Sequence, residues 1–206
     1  MRHVAVIDIG KTNAKVGVVD TVEGVEVEFA TQPNAVLAEP PYPHYDLEGL
    51  WNFIVDALRR HNGKYGIDAI SIATHGASIV LLDGNGNPAA PMLDYEFAGP
   101  DDLSASYDAI RPDFEETGSP RLPLGLNVGA QIHWQLHRDA GLVDRIAAIV
   151  TYPQYWSWKL TGAMHTEMTS LGAHTDLWNP GERCFSSLVR RLGIANKMAP
   201  DQRREA

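Results

Sequence analysis

Residues Val4 to Asp20 constrain this chain more than any other stretch. Val4, Ala5, Val6 and Ile7 form a short apolar run with β-branched residues, as a covered strand requires. Asp8 stands at its end. Gly10-Lys11-Thr12-Asn13 makes a tight polar turn, and Val16, Val18 and Val19 resume a second strand that Asp20 closes. Gly10 lets the backbone fold tightly and approach a ligand with no Cβ in the way. Backbone N–H groups in such a turn, with Lys11, Thr12, Asn13 and Lys15, can cradle an anion. Asp8 can hold Mg²⁺, directly or through water. Phosphate plus metal is the chemistry of a nucleotide tail. A plain hairpin with a solvated turn accounts for the same residues, and both readings stand at this point. The turn is neither a Walker loop nor a dinucleotide fingerprint, since neither G-x-x-x-x-G-K-[ST] nor G-x-G-x-x-G occurs.

A chain of 206 residues can bury a core, and 44% hydrophobic with 21% charged residues is ordinary for a soluble protein. The net charge of −9 leaves no basic stripe to neutralise phosphates, which argues against a nucleic-acid partner. The lone Cys184 excludes an intramolecular disulfide and a Cys-based zinc site, and a reducing cytoplasm is the expected compartment. No signal peptide precedes Val4, and no apolar run approaches the roughly 20 residues that span a bilayer, so no membrane role is expected.

Residues 25–30 alternate apolar and polar, so a half-exposed third strand extends the first two into an antiparallel meander. Asp46 is the expected N-cap of a helix over Leu47–Leu58, with Leu47, Leu50, Trp51, Ile54 and Leu58 at helical spacing. Asp68–Thr74 reads as a strand parallel to the first across that helix, and Ser78–Asp83 as the next strand. Gly84–Asn87 is a turn and Pro91–Tyr95 a further extended segment. Residues 97–127 read as loop with one short helix. Val128–Arg138 is helical, Val143–Ile149 a short helix running into a strand at Ile149–Thr151, and Tyr155–Leu160 a helix stopped by Gly162. The charged end, Asp201–Ala206, is expected to fray.

The turn pattern Asp-x-Gly-x-Thr-x-x-Lys resembles the first phosphate motif of the actin/hexokinase ATPase fold, in the form used by FGGY carbohydrate kinases. Ile70–Asp83 with Gly84–Pro91 and Leu93–Glu96 resembles that family's sugar-binding strand pair. Tyr155–Gly162 and Thr166–Pro180 resemble two later family segments, and the four motifs together cover about residues 4–198. The resemblance implies an α/β fold, a ribonuclease-H-like mixed sheet flanked by helices. It implies a sugar-kinase N-terminal domain over 1–198, incomplete at its C-terminal side, and a polar tail over 199–206. It also implies ATP and Mg²⁺ as cofactors.

His75-Gly76-Ala77-Ser78 lies between two strands, where small residues leave room for a ligand. Asp94, Tyr95 and Glu96 offer a second polar wall. Gln131, Trp134 and Tyr155 are candidates to cover a sugar's C–H patches, with core packing as the alternative for each. The Thr-x-Gly segment is more similar to the rhamnulokinase and fuculokinase branch than to the glycerol or xylulose branch. Glu96 stands where that branch often has arginine, which leaves the sugar open between a deoxyketose and a related polyol. His133 and His137, four apart, can share a helix face, but without a third ligand they make a weak metal pair. The family's catalytic aspartate lies in a Gly-x-x-Asp motif, and none follows Leu192. The expectation is therefore the N-terminal part of a sugar kinase, inactive without a C-terminal nucleotide-binding domain. A non-catalytic sugar-binding module and a nonfunctional remnant are the alternatives, and a homodimer is left open.

Overall fold

The computed structural model describes residues 1–200; the tail Asp201–Ala206, expected to fray, lies outside them. The described chain forms two compact units. The first comprises Met1–Ala38 with Tyr45–His75, the second Glu39–His44 with the chain from Gly76 onward.

The first unit is a four-stranded mixed sheet under one helix. Strand β1 (His3–Ile9) pairs antiparallel with β2 (Asn13–Asp20), which pairs antiparallel with β3 (Val25–Pro33). After helix α1 (Leu47–Tyr65), strand β4 (Ala69–Thr74) returns parallel on the other side of β1, giving the order β3-β2-β1-β4. The period of two divides the faces. Ala5, Ile7 and Ile9 of β1 and Ala14, Val16 and Val18 of β2 are buried, and Leu47, Leu50, Ile54 and Ala57 of α1 are buried with them. The alternate residues of the central strands, including Asp8 and Lys15, lie on the opposite face.

Asp46 caps α1 as expected: its side chain accepts from Gly49 N at 2.8 Å. The helix continues past Leu58 to Tyr65, because His61 extends the buried stripe and bonds through Nε2 to Val16 O at 3.1 Å. Lys64 and Tyr65 both bind the Glu28 carboxylate on β3. Gly66, at φ 67°, ends the helix in the left-handed region.

In the second unit, β5 (Ile79–Leu82) is buried along its whole length. Its ladder partner is distant in sequence: β6 (Ala148–Thr151), antiparallel. Pro91–Tyr95 therefore forms no strand, only an isolated bridge from Leu93 to His44, while the turn at Gly84–Asn87 is stapled by the Asp83 carboxylate. The stretch 97–127 carries more helix than expected: a 3₁₀ turn at Gly99–Leu103, α2 (Ser104–Asp108) and a helical turn at Phe114–Thr117. Helix α3 (Val128–Arg138) has the expected bounds. The short helix expected before β6 is a single turn at Leu142–Arg145. Helix α4 (Tyr152–Thr161) starts three residues early because Pro153 suits a first turn, and Gly162 stops it at φ 76°. A core of Ile79, Leu81, Val128, Ile132, Ile149 and Leu188 joins β5, β6 and α3.

Candidate functional site

The turn between β1 and β2 is a compact hydrogen-bonded loop. The ladder ends at the pair Ile9–Ala14, and Gly10 N then donates to Asn13 O at 2.9 Å. Gly10 does not use the left-handed region, and a Cβ there would meet only Asn13 O, at 3.4 Å, an ordinary contact, so the fold of the turn itself does not demand glycine at this position. Thr12 and Asn13 are exposed, and Asn13 Nδ2 donates to Thr12 Oγ1 at 3.2 Å. Asp8 and Lys15 face each other across the β1–β2 pair, with Ala73 of β4 on Asp8's other side. Asp8 is exposed, so its carboxylate is open to a hydrated cation. Lys15 extends over Gly17 to Glu26, Nζ–Oε1 2.7 Å, and lies 4.7 Å from the centre of the Phe29 ring. Any Cβ at Gly17 would meet that Glu26 carboxylate at 2.4 Å, so the glycine makes room for this ion pair.

Lys11 points elsewhere. Its ammonium sits 5.2 Å from the Tyr45 ring centre, and Tyr45 stacks on His75 at 5.1 Å. His75 N donates to Ile9 O at 2.7 Å, which fixes His75 beside the turn at the end of β4. The sequence groups His75 with the sugar candidates; the fold also brings it next to the Gly10–Asn13 turn. Tyr45 was missed because a single aromatic in a Pro-rich segment carries no periodic signal.

The remaining sugar candidates belong to the second unit. Ala77 adopts φ 52°, a strained conformation for a residue with a Cβ. Gln131 of α3 holds it there: Nε2 donates to Ala77 O at 2.7 Å and also to Gly125 O. Gly125 N in turn donates to Tyr95 O at 2.9 Å, and a Cβ on Gly125 would approach Tyr95 Cα to 2.9 Å. One buried amide thus ties together the segments of Gly76–Ser78 and Asp94–Glu96. Asp94 is buried, and its Oδ1 accepts from Glu96 N at 3.1 Å, closing the turn that carries Tyr95 and Glu96. Ser78 is buried, and Gly76 and Glu96 are exposed.

Trp134, one turn beyond Gln131, is only 3% exposed. Tyr42 and Phe97 meet it edge-on at 5.4 Å each, and Arg138 covers it at 5.0 Å. Its ring is wall rather than surface. Tyr155 is likewise buried against Trp156, and burial raises its phenol pKa. A hollow of about 390 Å³ lies toward the C-terminal end of α3, between Tyr42, Pro91, Arg138 and Leu142, and none of the sugar candidates lines it.

Glu167 is a helix cap: its carboxylate accepts from Thr169 N and Ser170 N at the start of α5 (Met168–Gly172). Burial raises its pKa, but those bonds outweigh it and the net shift is downward. His133 and His137 do share a face, with ring centres 4.1 Å apart. His133 Nε2 is occupied by Ser106 Oγ at 2.9 Å and His137 Nδ1 by His133 O at 2.8 Å. Among the described residues no group of three or more His, Cys, Asp or Glu is placed to hold a metal ion. Asp8 fits Mg²⁺ only as a single carboxylate whose other ligands are water and phosphate oxygens, a common arrangement for this ion.

A meander of three strands, a crossover helix and a parallel fourth strand, with a carboxylate, a tight turn and a lysine on the exposed face, is the half-fold of an actin/hexokinase-type ATPase. The chain belongs to the FGGY family of carbohydrate kinases: residues 3–205 match that family's N-terminal domain. The crystal structure of a carbohydrate kinase from Novosphingobium aromaticivorans superposes with a TM-score of 0.89 at 36% identity, covering 97% of this chain and 42% of that one. A ligand-bound xylulose kinase from Lactobacillus acidophilus shares the fold, with a TM-score of 0.81 at 15% identity over 98% of this chain and 42% of that one. A rhamnulokinase from Mannheimia succiniciproducens is 24% identical over 206 residues, 93% of this chain and 41% of that protein. The chain thus spans about two fifths of the length of these relatives.

Proposed function

We propose that this chain supplies the phosphate turn and the sugar-binding loops of an ATP-dependent carbohydrate kinase that phosphorylates a hydroxyl of a deoxyketose or related polyol. The observation that carries the reading is the exposed Asp8, opposite Lys15 and beside the Gly10–Asn13 turn, in a chain of this family. ATP with Mg²⁺ brings the transferable phosphoryl group. Asp8 would hold the cation, while Gly10, Lys11, Thr12, Asn13 and Lys15 would hold phosphate oxygens. Lys15 would have to exchange Glu26 for the phosphate, a small demand on an exposed ion pair. Gly76, Ala77, Ser78, Asp94, Tyr95 and Glu96 of the second unit would present donors and acceptors to sugar hydroxyls. Gln131 and Trp134 would support the loops of the second unit from behind.

We place the base that accepts the hydroxyl proton, and the adenine site, in the part of the relatives that this chain does not span. The protein would act in the cytoplasm, with a sugar and a C-terminal nucleotide-binding domain as partners. The 206 residues alone should therefore bind a sugar weakly and turn over no ATP. Calorimetry against a panel of deoxyketoses, aldoses and polyols, alongside a coupled assay with ATP and Mg²⁺, tests both statements. Sugar binding without turnover is the expected result. Turnover well above background would overturn the division of labour, and failure to bind any sugar would overturn the pocket.

A further inference from the structure

We propose that Asn34 is the positioning residue of the phosphate turn, clasping it from behind so that its oxygens point inward and its amide edge faces the ligand. This rests on the phosphate reading above. Asn34 follows β3 and is 4% exposed. Its backbone N–H donates to Thr12 O at 2.9 Å, and its side-chain Nδ2 donates to Gly10 O at 2.8 Å. With Gly10 N on Asn13 O, the carbonyls of Gly10, Thr12 and Asn13 all accept bonds from the protein itself. A peptide oxygen facing a phosphate repels it, whereas a peptide N–H attracts it. Pinning the oxygens therefore decides whether the turn can receive an anion. Pro33, opposite Asn13, sits at a non-hydrogen-bonded position of the ladder, so its missing N–H costs this edge nothing and the next donor along it is Asn34.

The identity of the side chain follows from the same contacts. The group facing Gly10 O must be a donor, which fixes Nδ2 there and rules out the flipped amide. Oδ1 is then buried with no hydrogen-bond partner among the described residues. A buried acceptor without a partner costs stability. The substitution Asn34→Asp would set an acceptor against Gly10 O; Asn34→Ala would release that oxygen altogether.

The 206-residue protein, labelled with ¹⁵N, is titrated with inorganic tripolyphosphate and Mg²⁺ while amide exchange is followed residue by residue. In the unaltered protein the resonances of Lys11, Thr12 and Asn13 should shift saturably. Asn34→Ala should weaken that binding about fivefold, as loss of one hydrogen bond implies. It should also speed exchange at those amides about tenfold while Ile7 and Val16 exchange as before, the signature of a local rather than global change. Its thermal midpoint should change little, because removal of the orphaned Oδ1 offsets the bond lost at Gly10 O. Asn34→Asp keeps the shape, loses the donor and should weaken binding at least as much, and it serves where the alanine variant folds poorly. Unchanged affinity and unchanged turn exchange in both variants would overturn the clasp. An unaltered protein that ignores tripolyphosphate, with exchange still accelerated in Asn34→Ala, would overturn the phosphate reading and leave the clasp standing.

Discussion

Replacing Arg111 by methionine should destabilise the second unit more than any exposed ion pair does. Asp176 is 0% exposed and holds φ 61°. Arg111 grips it with Nε on Oδ2 at 2.9 Å and Nη2 on Oδ1 at 3.1 Å, and Tyr107 Oη donates to Oδ2 at 2.6 Å. Burial and the Asp176 charge raise the Tyr107 phenol pKa, so it remains a donor throughout the accessible pH range. Arg111 itself is largely buried and donates onward to Ser119 O. Methionine fills much of the arginine stem's volume but leaves the carboxylate with one neutral donor. Breaking a buried pair from one side costs about 3–5 kcal/mol. At about 2–4 °C per kcal/mol for a chain of this size, the midpoint should fall by ~6–20 °C.

Urea unfolding followed by tryptophan fluorescence measures this, since Trp134, Trp156 and Trp178 are all buried in the same unit. The double variant Arg111→Met with Asp176→Asn should recover part of the loss, because the residue left behind carries no charge and still accepts from Tyr107. Arg145→Met supplies the scale: Arg145 and Asp139 are each 48% exposed, and such a pair is worth about 0–1 kcal/mol. An Arg111→Met cost as small as that of Arg145→Met would show that Asp176 carries no burial penalty, and the account of this network would be wrong.

Two pH effects follow from titrating groups in the separate units. Asp20, hydrogen-bonded by Arg2 and by the amides of Val22 and Glu23, has its pKa lowered to about 2. Its unfolded value is about 3.9, so its contribution is full above about pH 4 and is lost as pH falls toward about 2; Asp20→Asn should flatten that acid limb. His133 is buried, and burial first, then the neighbouring His137, lower its pKa. The unfolded imidazole therefore takes up a proton before the folded one does, and stability should decline as pH falls below about 6.5. His133→Gln should remove that slope in urea midpoints measured between about pH 7.5 and 5, the range in which an imidazole titrates; an unchanged slope would assign it to another group.

What was legible in the sequence was whatever repeats with a period or punctuates one. Val4, Ala5, Val6 and Ile7 form a continuous apolar run, so β1 could be read directly, and the chemistry of Asp8, Gly10 and Lys15 stood out because it follows that run; that only Ala5, Ile7 and Ile9 of the strand are buried is shown by the structure. Asp46, Gly162 and the bounds of Val128–Arg138 were readable for similar local reasons. The β5 ladder was not, because Ile79–Leu82 finds its partner far along the chain at Ala148–Thr151, and no local pattern encodes that distance. Residues 59–65 were lost because Arg59, Arg60, Asn62 and Lys64 hide the one buried side chain, His61, that keeps α1 on the sheet. Gln131 and Trp134 were chosen for their chemistry, and it is the geometry that shows the amide tying loops and the indole enclosed.

The same distinction separates the two kinds of residue at the candidate site. Asp8, Thr12, Asn13 and Glu96 are exposed, so solvent and any dissolved ligand reach them. Asn34 and Gln131 are buried, and each commits its side-chain amide to backbone oxygens, of Gly10 in one unit and of Ala77 and Gly125 in the other. A ligand-binding loop must hold one backbone shape against the entropy of the chain, and a donor fixed in the core is a direct physical means of holding it. Both units therefore reach the same solution: a polar loop displayed to solvent, and one buried carboxamide behind it that sets its shape. On this view, substitution of the carboxamides should disturb ligand affinity as strongly as substitution of the displayed residues, although neither carboxamide need touch the ligand.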